Sequence, residues 1–299
     1  MALTSAQIAA LHTTLKTRFN AGLKLTSDDW KKIAGYIKSD SKSNTYAWLS
    51  QFPAFREWVG SRLHKTALET AYTVVNKKFE STLDVQRTDV EDDNFGHYGG
   101  IAESYGQSVG DLMNDLIYQA VAAGISTVCY DGQYFFDTDH PVAANEDGSG
   151  AITNVSNYVT GGGPLWVLLC TKRAPKAIYL QERLSPEFEA VTSGQNQNVF
   201  DNDVFSYGGR WRGNAAYGFW QCAYGSKQAL TAANFQAAYT AMMKVCGDGQ
   251  RKLGITPDTL VCGPDLIADA ELLLKAVQLA NGASNTNYNK VELAVTPWM

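Results

Sequence analysis

The chain has 299 residues, 45% of them hydrophobic and 11% aromatic, enough for a sizeable buried core, which excludes a disordered polymer. A formal net charge of -5 excludes a generally basic nucleic-acid binder, although a container need not grip what it encloses. The five cysteines, Cys129, Cys170, Cys222, Cys246 and Cys262, are scattered and form no CxxC pair, so buried free thiols are expected rather than disulfides or a zinc site.

The N-terminus, MALTSAQIAALHTTLKTRFNAGL, is too polar for a signal peptide, and no apolar run reaches transmembrane length, so a cytosolic origin without a membrane partner is expected. Ile8, Leu11, Leu15 and Phe19 recur at helical spacing after Thr4 or Ser5, with Gly22 read as the stop. Ser27 is placed to cap a second short helix through Ile33. The aromatic cluster around Phe52, Phe55 and Trp58 suits a loop anchored to a core better than a ligand site.

Residues 66–95 read as a hairpin. Phe79, Ser81, Leu83, Val85 and Arg87 share one face of the second arm, Glu69 to Val75 supply the first, and Asn76, Lys77 and Lys78 form the turn. A two-stranded hairpin is marginal alone, so this one is expected to lie either on its own domain or on a neighbouring subunit. Glu91, Asp92 and Asp93 then crowd the positive end of a long helix, and without a histidine or a spaced fourth ligand they are not read as a metal site. That helix follows from Ile101, Tyr105, Val109, Leu112, Leu116, Ile117 and Val121, runs from about Tyr98 to Ala123, and ends at Gly124. At about 39 Å it is long enough to act as a spine.

Strands are expected at Leu165 to Cys170, Ala177 to Gln181 and Gly218 to Tyr224, with a polar excursion at Ser193 to Asp203. From about Thr231 the pattern becomes an α/β tail: a helix from Ala232 to Cys246, a strand at Thr259 to Cys262, a helix from Pro264 to Leu279 and a last strand at Val291 to Val295. It resembles a second compact unit.

Candidate chemistry is sparse. Asp131, Asp137, Asp139 and His140 could bind a metal or relay a proton, but Asp-Gly and His-Pro are also plain turn chemistry. The glycine clusters at 161–163 and 247–249 fit neither a P-loop nor a dinucleotide fingerprint, and no GxSxG elbow occurs. No catalytic residue, cofactor or metal ligand is therefore assigned. Arg210, Trp211 and Arg212 could grip a phosphate or a base, yet a subunit contact, where Arg and Trp are enriched, fits a chain of net charge -5 better.

Several blocks in one order resemble the major head subunit of Mu-like phages and prophages. They are Ser43-Asn44-Thr45-Tyr46 with Phe52-Pro53 and Glu57-Trp58-Val59-Gly60, Phe79-Glu80 through Arg87, Glu91-Asp92-Asp93-Asn94, Cys129-Tyr130-Asp131-Gly132-Gln133 with Phe135-Phe136-Asp137 and His140-Pro141-Val142, Gln181-Glu182-Arg183, and Gly218-Phe219-Trp220-Gln221. The resemblance implies an α+β Hong Kong 97-type capsid fold, with an N-terminal arm at 1–60, an extended hairpin loop at 61–94, a peripheral domain with a spine helix at 95–229 and an axial domain at 230–299. It implies a structural protein, not an enzyme. Copies would assemble as hexamers and pentamers into an icosahedral head around double-stranded DNA, in the host cytoplasm, with no sequence-specific grip. Scaffold, portal and decoration proteins are the implied partners, and the virion is the implied location. Candidate subunit contacts are then Tyr72, Val74, Lys77, Lys78, Phe79, Glu80, Leu83, Arg87, Glu91, Asp92, Asp93, Arg210, Trp211 and Arg212. Two alternatives are an encapsulin-like nanocompartment shell of the same fold and a metal-dependent enzyme centred on Asp137, Asp139 and His140.

Overall fold

The computed structural model describes residues 4–46, 72–91, 95–174, 176–193, 195–279 and 281–299. Helices α1 (Ser5–Leu25) and α2 (Trp30–Ile33) lead into strands β1 (Gly35–Lys38) and β2 (Ser43–Thr45). Beyond residue 72 come β3 (Thr73–Val75), β4 (Lys77–Gln86), the short α3 (Arg87–Glu91) and the long α4 (Phe95–Ala123). Next are β5 (His140–Ala143), β6 (Ile152–Val155), β7 (Tyr158–Val159), β8 (Trp166–Leu169), β9 (Ile178–Val191), α5 (Gln197–Asn202) and β10 (Val204–Tyr217). The chain closes with β11 (Ala223–Ser226), α6 (Ala232–Lys244), β12 (Cys246–Gly247), β13 (Arg251–Lys252), β14 (Thr259–Cys262), α7 (Ile267–Leu274) and β15 (Glu292–Val295). No helix among the described residues is long and apolar enough to cross a membrane.

Local chemistry explains the helix starts. Thr4 and Gln7 cap α1 reciprocally: the Thr4 hydroxyl accepts from the Gln7 N–H at 3.3 Å, and the Gln7 side chain accepts from the Thr4 N–H at 2.9 Å. The expected stop at Gly22 is not one, because the helix runs on to Leu25. Gly22 is instead a point of close approach to α4: a Cβ there would lie 1.8 Å from the Glu103 carbonyl oxygen, and one on Gly106 would lie 1.9 Å from that of Phe19. Ser27 is likewise not the cap of α2. The Trp30 N–H donates to the Asn114 side chain at 2.9 Å, so α4 supplies the cap from a distance in sequence.

The first sheet has the order β1-β9-β10-β4. β10 is antiparallel to both β9 and β4, and α1 and α4 cover one face around Leu11, Leu15, Phe19, Leu83, Val85, Phe188 and Tyr207. The expected hairpin of residues 66–95 therefore does not close on itself. β3 pairs with β2, from Ser43↔Val75 to Thr45↔Thr73, whereas β4 pairs along its whole length with β10, from Lys77↔Gly213 to Gln86↔Val204. Asn76, expected in the turn, is buried between them. The reason is burial: the alternating face of β4 places Leu83 and Val85 in the subunit's own core, worth about 1.5–3 kcal/mol for each full side chain. Residues 66–71 and 92–94 lie outside the described ones.

The second sheet has the order β15-β14-β8-β11-β7. β8, β11 and β14 are buried at every position and read as nearly unbroken apolar or small-residue runs, as strands covered on both faces do. Here β8 lies directly between β11 and β14, so the division expected at residue 230 falls inside one sheet and separates nothing. Two more expectations shift. The polar stretch from Ser193 to Asp203 carries α5, and the helix expected to reach Leu279 ends at Leu274. Four of the five cysteines are buried free thiols and Cys246 is half-buried.

Candidate functional site

The histidine loop is the part of the molecule where chemistry was most conceivable. Among the described residues, Cys129, Asp131 and His140 bring ligand-type atoms within 4.8 Å of one another. Each of those atoms is already spent on another. The Cys129 thiol donates to Asp131 Oδ1 at 3.0 Å, and His140 Nδ1 lies 2.7 Å from Asp131 Oδ2. His140 Nε2 lies 3.1 Å from Asn157 Oδ1, and the Asn157 amide nitrogen donates to the Phe135 carbonyl at 2.9 Å. The imidazole is fully buried and stacks on Trp220 with ring centroids 4.0 Å apart. Burial pushes the Cys129 thiol far up, helped by the Asp131 charge, so it is neither a ready nucleophile nor a ready ligand. Burial alone would raise the Asp131 carboxyl too, but hydrogen bonds from His140, Cys129 and the Gln133 N–H outweigh it and hold the group below the usual carboxylate range.

Asp137 and Asp139 do not join this group. Asp137 accepts from the Tyr134 and Thr138 N–H groups at 3.1 and 2.7 Å. Asp139 stays at the surface, where a hydrogen bond to Asp137 raises its pKa. The alternative of an enzyme centre on Asp137, Asp139 and His140 is thus not assembled. The loop is held by a buried polar lock instead.

A second buried network fastens β2 and β3 beside Tyr46 and Tyr72. Gln181, in β9, is wholly buried; its amide donates to Asn76 Oδ1 at 2.7 Å and to the Val74 carbonyl at 3.3 Å, and its oxygen accepts from the Tyr46 hydroxyl. Asn76 donates onward to the Ser39 hydroxyl at 2.8 Å and the Ser41 carbonyl at 3.0 Å. The Tyr46 N–H donates to the Tyr72 carbonyl at 2.9 Å, so these two residues share one root beside β2 and β3. Burial pushes the Tyr72 phenol up to about 12, leaving it neutral as it accepts from the Tyr217 N–H at 3.2 Å. This root was not read from the residues, although a glutamine closing the apolar run Ala177 to Leu180 is a buried polar group that must find partners.

The contact candidates divide between core and surface. Val74, Leu83 and Trp211 are buried in their own subunit, the indole of Trp211 donating to Glu182 at 3.0 Å and its ring packing on Phe79 at 5.5 Å. Tyr72 and Phe79 are half-buried against the same core. Alternation along β10 turns Arg210 away from Trp211, and its guanidinium pairs with Glu187 on the adjacent strand at 2.8 Å. Arg212 is half-buried, and Arg87 lies 3.7 Å from Asp203. Lys77, Lys78 and Glu80 are exposed on β4. Asp92, Asp93 and the Glu91 side chain lie outside the described residues.

The chain matches the family described as Mu-like prophage major head subunit gpT over residues 8–299. It is 42% identical over 272 residues to the Mu-like prophage FluMu major head subunit of Haemophilus influenzae, covering 90% of this chain and 88% of that protein. It is 38% identical over 306 residues to the major capsid protein of Escherichia phage Mu, with both chains covered in full. Among solved structures it is similar to the procapsid of bacteriophage JBD30, with a TM-score of 0.88 and 41% identity over 99% of this chain and 100% of that one. For the JBD30 capsid the TM-score is 0.75, at 31% identity over 89% of each chain.

Proposed function

Because the chain belongs to the Mu-like prophage major head subunit family and is a major capsid protein that forms the phage head shell, we propose that the root at Tyr46 and Tyr72 launches its reach onto a neighbouring copy. The observation that carries this reading is the pairing of β2 with β3 above the Gln181 network: a shell subunit needs a projection with a fixed origin, and a buried hydrogen-bonded base supplies one. The alternating strand is committed to β10, so the contact with a neighbouring copy is proposed for the part of the chain between β2 and β3. In domain terms, the four-stranded sheet with α1 and α4 is the peripheral unit, and the five-stranded sheet with α6 and α7 is the axial unit.

Shell assembly on this reading uses many modest contacts acting together, as hexamers and pentamers of an icosahedral head around double-stranded DNA held without sequence readout. Assembly takes place in the host cytoplasm with scaffold and portal proteins. One JBD30 structure is described as a capsid decorated with minor capsid protein trimers, and a comparable outer partner is proposed for this shell. The test is to replace residues 50–68 by a short Gly-Ser bridge, which leaves β2, β3 and their network in place. A folded, soluble subunit that makes no closed shells by negative-stain microscopy is expected. Normal closed shells from that variant would refute the assignment.

A further inference from the structure

β10 occupies only one edge of β4, and the other edge of this 10-residue strand ends the sheet. The ladder between them runs from Lys77↔Gly213 to Gln86↔Val204 without a bulge, and the Arg87 N–H continues it to the Asp203 carbonyl at 3.0 Å. Bonded and unbonded pairs alternate in an antiparallel ladder, so the odd-numbered residues of β4 bond to β10. Lys78, Glu80, Thr82, Asp84 and Gln86 therefore turn their N–H and C=O groups outward. Among the described residues only the Thr82 carbonyl finds a partner on that side, the Tyr105 hydroxyl at 3.2 Å. An unpaired edge with neither proline nor bulge is a template for another strand.

The edge also has an open underside. α4 packs over β9 and β10 more than over β4, and a slot of about 70 Å³ is left beside β4, lined by Phe79, Ser81, Tyr105, Val109, Leu112 and Trp211. Tyr105, Val109 and Leu112 are half-buried there. Charge selects the occupant. On the solvent face Lys78 lies opposite Arg212 of β10, two like charges side by side, while Asp84 lies opposite Ser206 and accepts from its hydroxyl at 2.6 Å. Glu80 lies opposite Arg210 and accepts from the Thr82 hydroxyl at 3.2 Å. Among the described residues neither Lys78 nor Asp84 is in an ion pair. Two β4 strands laid antiparallel about a two-fold axis at Ser81 set Lys78 of each against Asp84 of the other, and Glu80 against Thr82. Moving the axis by one residue sets Glu80 against Glu80 or against Asp84, so the charges favour a single register.

We propose that the free edge of β4 pairs with β4 of a second copy across a two-fold axis at Ser81, joining two four-stranded sheets into one. Lys78 then faces the partner's Asp84, and the two slots meet side by side, so that the half-buried rows of α4 cover one another. The proposal rests on the reading of the chain as a shell subunit and adds an interface to the one proposed between β2 and β3.

The experiment oxidises Ser81→Cys with a mild copper oxidant, both as purified full-length subunit and as shells, and reads dimers on a non-reducing gel. Residues opposed at an unbonded position lie about 4.5 Å apart at Cα, within disulfide reach. A dimer band is expected that is absent from the unaltered protein and from Val75→Cys, an exposed position on β3. Adding Lys78→Asp should lower the cross-linked fraction about fivefold, and adding Asp84→Lys to that should restore it, as two symmetric pairs turn from attraction to repulsion and back. If Ser81→Cys does not fold, a mixture of Glu80→Cys and Thr82→Cys subunits, both at exposed positions, takes its place. No cross-link in either sample would overturn the proposal, as would a band no stronger than that of Val75→Cys or one indifferent to the charge changes. Hydrogen exchange across residues 77–86 separates other occupants: protection on shell formation without a cross-link would assign the edge to another segment or to an outer protein, and would also overturn it. Failure of the unaltered protein to form shells would count against the shell reading, and cross-linking of the soluble subunit would still decide the pairing.

Discussion

Gln181→Leu should loosen the root at Tyr46 and Tyr72 without disturbing the sheet that carries it. The side chain is fully buried, and leucine is close to it in volume, so the change removes hydrogen bonds rather than packing. Asn76 Oδ1 loses a donor at 2.7 Å, the Val74 carbonyl a long one at 3.3 Å, and the Tyr46 hydroxyl one of its partners. At about 1–3 kcal/mol for each buried polar group left unsatisfied, and with the Val74 contact long and weak, the expected cost is about 3 kcal/mol. For a chain of this size that lowers the midpoint of thermal unfolding by about 5 °C. A local readout is needed beside the global one. Limited trypsinolysis, with Arg56, Arg62 and Lys65 between the two ends, should cut the variant faster than the unaltered subunit at a temperature where both are folded. A double-mutant cycle with Asn76→Ala should show coupling of about 1 kcal/mol or more. Unchanged unfolding together with unchanged trypsin cleavage would show that the network does not hold the root.

Other perturbations test the remaining parts of the fold. Gly106→Ala forces a Cβ to within 1.9 Å of the Phe19 carbonyl oxygen and should cost about 1–3 kcal/mol as α1 is pushed off α4; an unchanged urea midpoint would contradict the close crossing. His140→Ala leaves Asp131 and Asn157 facing each other without the ring between them and should destabilise the subunit by about 3 kcal/mol, whereas an unaltered thermal midpoint would show that the lock bears no weight. Asp131 has a depressed pKa in the folded state. Its contribution is therefore fully present above the unfolded value near 3.9 and is lost as pH falls through the folded value. The destabilisation caused by Asp131→Asn should accordingly be largest at neutral pH and shrink in acid, and urea titrations showing a pH-independent penalty would contradict the assignment. Arg210→Ala breaks an exposed, solvent-screened pair with Glu187 and should leave the urea midpoint essentially unchanged; a clear drop would mean that the arginine packs on more than its surface partner.

Much of the architecture was legible in the residues because it follows from periodicity. The run from Ile101 to Val121 marked α4, Gly124 marked its end, and the apolar segments at 166–169 and 259–262 marked two central strands. Periodicity was equally right about β4, whose alternation gave the buried positions Leu83 and Val85. It could not say which strand lies beside it. Asn-Lys-Lys after a Val-rich segment satisfies the local chemistry of a turn, yet β3 goes to β2 and β4 to β10, since register is settled by which apolar faces can be covered at once. Asp137, Asp139 and His140 look like a ligand group in sequence for a similar reason. Their spacing is visible in one dimension, whereas the inward turn of His140 toward Asp131, Asn157 and Trp220 is not.

From the sequence alone came the α+β composition, the spine helix, the buried thiols and, through ordered blocks from Ser43 to Gln221, the likeness to a Mu-like head subunit. Only the tertiary structure decided that the root at Tyr46 and Tyr72 is a buried polar network, and that β8, β11 and β14 form one sheet across the expected border. The physical reason is common to both. Helix period and strand alternation are properties of neighbours along the chain, whereas strand partners and buried hydrogen-bond partners, such as Gln181 with Asn76, are chosen by residues far apart that must exclude water together.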